Sequence, residues 1–183
     1  MSRAARVLSL GRNRQGIRRF QDRAVRADVL ECVLEAARYA PSAKEAQPWR
    51  FVIVQDALRR HQIARAAFNH PLVLSAPVLI LCCARIHSHV SGNGRASYPI
   101  DVAAAAQSMA LAAADVGLGV GWVMGFRERE VRKLSDVPSD VPILAILAIG
   151  YPESFQPLPA RLAVEEVFAW ERWKTGTPTS DRP

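Results

Sequence analysis

The stretch "APSAKEAQPWRFVIVQD", Ala40 to Asp56, is more elaborate than a plain helix-to-strand connection. A helical pattern stops at Pro41, whose ring disfavours helical backbone in the residue before it. A small polar loop follows, then Gln47-Pro48-Trp49. The alternating apolar run "RFVIVQD" comes next and predicts a strand. Loops held by rigid elements carry binding and catalytic residues disproportionately, so this loop is the first candidate for function.

Working outward, Asp28 is placed to cap a helix running to about Tyr39, with Val29, Leu30, Val33, Leu34 and Ala37 as its apolar stripe. "ALRRHQIARAAF" reads as a helix, and the fully apolar "APVLILCCA" as a buried strand. "IHSHVSGNGRASYP" is a loop by its Gly, Asn and Ser content. Asp101 opens the helix "DVAAAAQSMALAAADVG", which Gly117 ends. That helix is apolar nearly all round, so most of its faces should be covered. Its small side chains admit another helix closely, within the subunit or, more easily, across a dimer interface. "VGWVMGF" predicts a short strand to Gly125, "REREVRKLSDV" a polar amphipathic helix, and "PILAILAIGYP" a second buried strand. Helices alternate with strands, which allows a parallel α/β or a mixed α+β sheet.

The chain has 183 residues, 50% of them hydrophobic. That suits one domain, residues 1–183, with its own core or a core completed by a partner. Residues 1–8 and 175–183 read as flexible tails. No apolar signal region opens the sequence, and the most apolar window, Val102 to Val116, is too short to span a bilayer. A cytoplasmic protein without membrane contact is expected. Cys32, Cys82 and Cys83 form no disulfide pattern and read as buried free thiols.

The net charge of +7 has a location. Residues 1–26 hold eight Arg and one acid, Asp22; eight minus one is the whole surplus. A solvated basic face, a nucleic-acid arm, or Arg side chains holding a phosphate would each account for it. The segment lacks the interleaved aromatics of a single-strand binder, so the nucleic-acid arm ranks last.

"GLGVGW", Gly117 to Trp122, follows a helix and opens a strand, the reverse of a dinucleotide-binding glycine loop. His87 and His89 lack further ligands at useful spacing, so no metal site is expected. Cys82 and Cys83 point to opposite faces of a strand, and no serine sits in a nucleophile elbow. With neither nucleophile nor metal, an enzyme of this sequence would rely on a cofactor.

Three stretches carry what remains: "RNRQGIRRF", the loop "APSAKEAQPWRF", and "WVMGF". In this order and spacing they resemble the nitroreductase family of FMN-dependent oxidoreductases. The family's Arg-x-Ser-x-Arg signature reads Arg14-Gln15-Gly16-Ile17-Arg18 here, and its Ala-Pro-Ser-x-x-Asn-x-Gln-Pro-Trp reads Ala40 to Trp49. A Gly-Leu-Gly turn, a Gly-Phe after the next strand, Gly150-Tyr151-Pro152 and the tail from Arg161 through "VEEVFAWERW" also recur. The resemblance covers roughly residues 9–174. Gly16 replaces a Ser, Glu45 replaces a flavin-facing Asn, and Pro159 stands where many members have a second basic residue.

The resemblance implies an α+β, three-layer sandwich with a mixed, largely antiparallel sheet, paired as an intertwined homodimer with two FMN sites at the interface. The Ala-rich helix would lie at the centre of that interface, and the chain from about Pro157 would reach across to the partner. Arg14 and Arg161 would hold the FMN phosphate, with Gln15 and Gly16 beside them. Arg18 would sit near the ring edge that gains negative charge on reduction. Backbone at Met124 and Gly125 would approach the hydride-accepting nitrogen, and Asn69 the ring edge. Pro41, Ser42, Ala43 and Glu45 would lie against the flavin held mainly by the other subunit. NADPH or NADH would reduce the flavin, which would then reduce a small electron-poor acceptor such as a nitroaromatic or quinone in a ping-pong cycle. Relatives of this fold acting on activated alkenes, halogenated aromatics or flavin itself would share the pattern. A non-catalytic flavin- or nucleic-acid-binding module is the alternative from another class.

Overall fold

A computed structural model describes residues 3–13, 16–86, 94–157 and 160–173. The sheet is organised around β2 (Val78–Ala84), whose seven residues are all buried. It lies between β1 (Trp49–Val54) and β4 (Ile143–Gly150), and β3 (Gly119–Val123) completes the order β1-β2-β4-β3. Every pairing among these strands is antiparallel.

A strand buried on both faces needs an apolar layer on each side. On one face Val78, Ile80, Cys82 and Ala84 meet α2 (Ala27–Arg38) and α5 (Tyr98–Asp115). On the other, Leu79, Leu81 and Cys83 meet α3 (Ala57–Ala66), α4 (Pro71–Ser75) and α6 (Glu128–Leu134). Helix, sheet and helix make three layers, as the sequence predicts. Cys82 and Cys83 fall on opposite faces, and burial pushes both thiols up, Cys83 to about 11. Cys32 departs from expectation: it is exposed on α2, on the side away from the sheet.

Three boundaries move. Residues 3–8, expected as tail, belong to α1 (Arg3–Asn13), which packs on α5 and is tied to it by an ion pair from Arg6 to Asp115 at 2.7 Å. Asp28 does not cap α2. Arg26 occupies that position without a side-chain cap, and Asp28 in the first turn pairs with the Arg26 guanidinium, which holds its carboxyl below the usual range. α5 starts at Tyr98, so Asp101 lies inside its first turn. Asp56, by contrast, caps α3, its carboxylate accepting the Arg59 N–H at 2.8 Å.

α5 is covered by its own subunit on one side only. Val102, Ala105, Ala106, Met109, Ala110 and Ala113 are buried, while Ala103 is exposed and Ala104, Gln107, Ser108 and Leu111 are half-covered. No helix among the described residues is long and apolar enough to cross a membrane.

Candidate active site

The N-terminal signature is held by the chain that leaves β4. Ile17 bridges Phe155 and Phe20 bridges Pro152, both antiparallel. The Gln156 N–H donates to the Gly16 carbonyl at 2.8 Å, and the Gln21 N–H to the Tyr151 carbonyl at 2.8 Å. The Phe20 N–H donates to Ser75 Oγ at 3.1 Å, fixing the ribbon to α4. This crossing explains Gly16. Its φ is +76°, and a Cβ there would stand 2.4 Å from the Gln156 carbonyl oxygen. Only glycine takes that backbone and that space without strain, so the departure from Ser follows from local geometry.

The ribbon forms one wall of an open cavity of about 590 Å³, within the ~300–1,000 Å³ typical of small-molecule sites. Gly16, Ile17 and Arg18 line it from one side, and Gln156 and Pro157 continue that wall. β3 contributes Val120, Gly121 and Trp122, followed by Met124. Leu72 of α4 and Gln107 of α5 complete it. Gly121 packs directly under the Leu72 side chain, which would have to shift to admit a Cβ, 2.5 Å from Cδ1.

The surface suits a flat, partly polar ligand. Ile17, Leu72, Val120 and Trp122 supply apolar wall; Gln107 and Gln156 supply amides; Arg18 supplies positive charge. The Arg18 guanidinium is exposed and has no hydrogen bond or ion pair among the described residues. Four of the other N-terminal arginines are employed separately. Arg6 pairs with Asp115, Arg19 with Glu153, Arg26 with Asp28, and Arg23 stacks on the Tyr151 ring at 3.8 Å. They are dispersed over the subunit rather than gathered into a nucleic-acid arm.

Of the residues singled out from sequence, Gly16, Arg18 and Met124 come together in this cavity. Gly125 adjoins it but does not line it, and a Cβ there would meet nothing within 4 Å. Asn69 is exposed, in a left-handed pair with Phe68 after α3. Pro41, Ser42, Ala43 and Glu45 form a separate loop, and none lines the cavity. Arg161 is exposed on the segment beyond it. Arg14, Gln15, Pro159, His87, His89 and the 175–183 tail lie outside the described residues.

Eight lining residues were not singled out from sequence: Ile17, Leu72, Gln107, Val120, Gly121, Trp122, Gln156 and Pro157. Gln107 could have been found, as the one long polar side chain inside the Ala-rich stretch Val102–Ala114. Trp122 opens the "WVMGF" stretch, whereas Leu72 and Gln156 carry no comparable signal, because chain crossings bring them to the cavity.

A three-layer α+β subunit with a cavity between a terminal ribbon and an edge strand defines the structural class. The chain belongs to the nitroreductase family, whose model matches residues 12–76 and 58–151. A protein named NADH dehydrogenase from Thermus thermophilus is 30% identical over 188 residues, covering 86% of this chain and 92% of its own. A Bacillus subtilis protein named FMN reductase (NADPH) is 26% identical over 183 residues, covering 90% and 73%. The crystal structure of a nitroreductase family protein from Clostridium difficile superposes with a TM-score of 0.81 at 27% identity, covering 91% of this chain and 98% of that one.

Proposed function

We propose that this protein is an FMN-dependent oxidoreductase taking hydride from NAD(P)H and delivering it to a small electron-poor acceptor, a nitroaromatic or quinone. The observation that carries the reading is the cavity: a family-signature Arg18 unpaired at its wall, above a glycine cradle, opposite an apolar edge strand. The relatives' names, NADH dehydrogenase and FMN reductase, support the same chemistry.

When bound, FMN would supply the hydride relay. The chain supplies orientation and charge. The Gly16–Gln156 crossing, possible because Gly16 has no side chain, fixes the backbone of one cavity wall. Arg18 offers a fixed positive charge where negative charge develops, the role of an electrostatic stabiliser. Apolar groups of Ile17, Leu72 and Trp122 exclude water from a flat ring. Arg14 and Arg161 are proposed for the phosphate, and Pro41, Ser42, Ala43 and Glu45 for the flavin of a second subunit in a homodimer. That division accounts for a loop bearing family-signature residues outside the cavity of its own chain.

The test is anaerobic. Purified protein mixed with FMN should retain it through gel filtration, and NADPH or NADH under nitrogen should bleach the bound flavin. A panel of nitroaromatics, quinones, activated alkenes and halogenated aromatics should then restore the colour at different rates. Retention without bleaching by either nucleotide would reduce the protein to a flavin binder, and no retention would sink the reading.

A further inference from the structure

The segment Ser42–Gln47 holds three non-glycine residues in left-handed backbone: Lys44 at φ 50°, Glu45 at φ 54° and Gln47 at φ 44°. Each is disfavoured for an L residue, because Cβ crowds the following carbonyl. Such conformations persist only where the surroundings over-determine them, and they cluster at functional sites. Packing does not hold this loop, since all three residues are exposed. Hydrogen bonds do. The Glu45 N–H donates to the Ser42 carbonyl and the Ala46 N–H to the Ala43 carbonyl, each at 3.1 Å. The Arg50 guanidinium donates to the Gln47 carbonyl at 3.2 Å. Two bonds to side-chain oxygens are added. Ser42 Oγ accepts the Gln47 N–H at 3.1 Å, and Asp101 Oδ1 accepts the Ala43 N–H at 3.0 Å across 58 positions of sequence.

Asp101 is unusual in its own right. At 5% exposure it is the one buried polar or charged residue among those described. Its second oxygen, Oδ2, is buried without a hydrogen-bond partner. It stands between Ile100 and Val102 in a helix whose covered face is otherwise apolar. A buried acid with an unused acceptor costs stability rather than adding it, so helix stability does not explain the residue. The loop does.

We propose that Asp101 is a positioning residue, which through Oδ1 clamps the Ala43 amide and sets the backbone of residues 43–47 in its left-handed course. The consequence for cofactor binding rests on the flavin reading above, in which this loop lies against the ring. Asp101 itself acts through the loop.

The experiment compares Asp101→Asn, which keeps an acceptor, with Asp101→Leu, which has similar size and none. In the FMN-free protein, NMR-detected hydrogen exchange should show the Ala43 amide protected in wild type and Asp101→Asn. In Asp101→Leu it should exchange about tenfold faster or more, as expected for loss of one such bond. FMN affinity should fall about tenfold in Asp101→Leu and be rescued in Asp101→Asn. The visible circular dichroism of bound flavin should follow the same order. An Ala43 amide exchanging in wild type as fast as in an unstructured peptide would overturn the proposal, and this holds even if Asp101→Leu fails to fold. Equal FMN affinity and flavin spectra in wild type and Asp101→Leu would also overturn it. A protein that binds no FMN yet protects Ala43 would refute the flavin reading and leave the clamp standing.

Discussion

Residues 151–157 and 160–173 both follow β4, and they are two different kinds of chain. The first is sewn into the subunit, paired with residues 16–21 by backbone hydrogen bonds and bridges. The second is exposed at every position and exposes Leu162, Val164, Val167, Phe168, Trp170 and Trp173, between 43% and 88%. Apolar surface on this scale marks an interaction site. The difference separates what one chain completes alone, a cavity wall, from apolar surface that, in the homodimer proposed above, a second copy would cover. α5 repeats the contrast within one helix, with Ala106 sealed in the subunit core and Ala104 on the half-covered side.

The sharpest way to break this comparison uses α5. Ala106→Glu places a carboxyl in a fully buried site and is expected to cost about 4–5 kcal/mol or more, abolishing the folded subunit. Ala104→Glu should instead leave a folded but dissociated chain. Circular dichroism with analytical ultracentrifugation separates them, and identical behaviour would erase the distinction between the two faces.

Cutting the chain after Pro157 tests the other contrast. The truncated subunit should keep its cooperative unfolding but lose self-association and most FMN. Retained dimer and flavin would show that the exposed arm covers nothing that matters.

Gly16→Ala probes the sewn region alone. A left-handed φ and a 2.4 Å approach to Gln156 should cost about 1–3 kcal/mol of stability, read by urea denaturation. FMN affinity should fall with it.

Arg18→Gln leaves the fold intact. It should weaken FMN by about 1.5–3 kcal/mol, the worth of a hydrogen bond to a charged group. Riboflavin should lose as much, because the proposed contact is to the ring, and the flavin midpoint potential should become more negative. A loss confined to FMN would move Arg18 to the phosphate.

The smallest effect belongs to Glu45, exposed in its own subunit. Glu45→Gln should raise the flavin potential by no more than about 30 mV, equivalent to ~1.4 kcal/mol for two electrons, and added salt should shrink the difference. A null result at low salt would make Glu45 a solvent-facing substitution.

The elements of the fold were legible because their signals are local, while their layering came from the family resemblance. β2 and β4 are unbroken apolar runs. What stayed hidden depends on contacts between distant residues. The helicity of residues 3–8 is supported by packing on α5. Asp101 reads locally as a helix opener, yet it serves Ala43. Gly16 reads as a departure from a signature until Gln156 is placed beside it. The nearly all-round apolar α5 implied cover on most of its faces, and only contact with α2 and the sheet shows which face the subunit already fills. The cavity was half legible: Gly16, Arg18 and Met124 came from motif, while Gln107, Trp122, Leu72 and Gln156 came from topology.

The ribbon between residues 16–20 and 152–156 has a bearing on the order of synthesis. It closes a loop containing all four strands, and such long closures are entropically costly until the intervening contacts exist. The cavity wall needs both the beginning of the chain and Gln156, so a nascent polypeptide on the ribosome can settle much of its sheet before it has any complete receptacle. Loading of a ligand is therefore confined to chains already translated past Gln156.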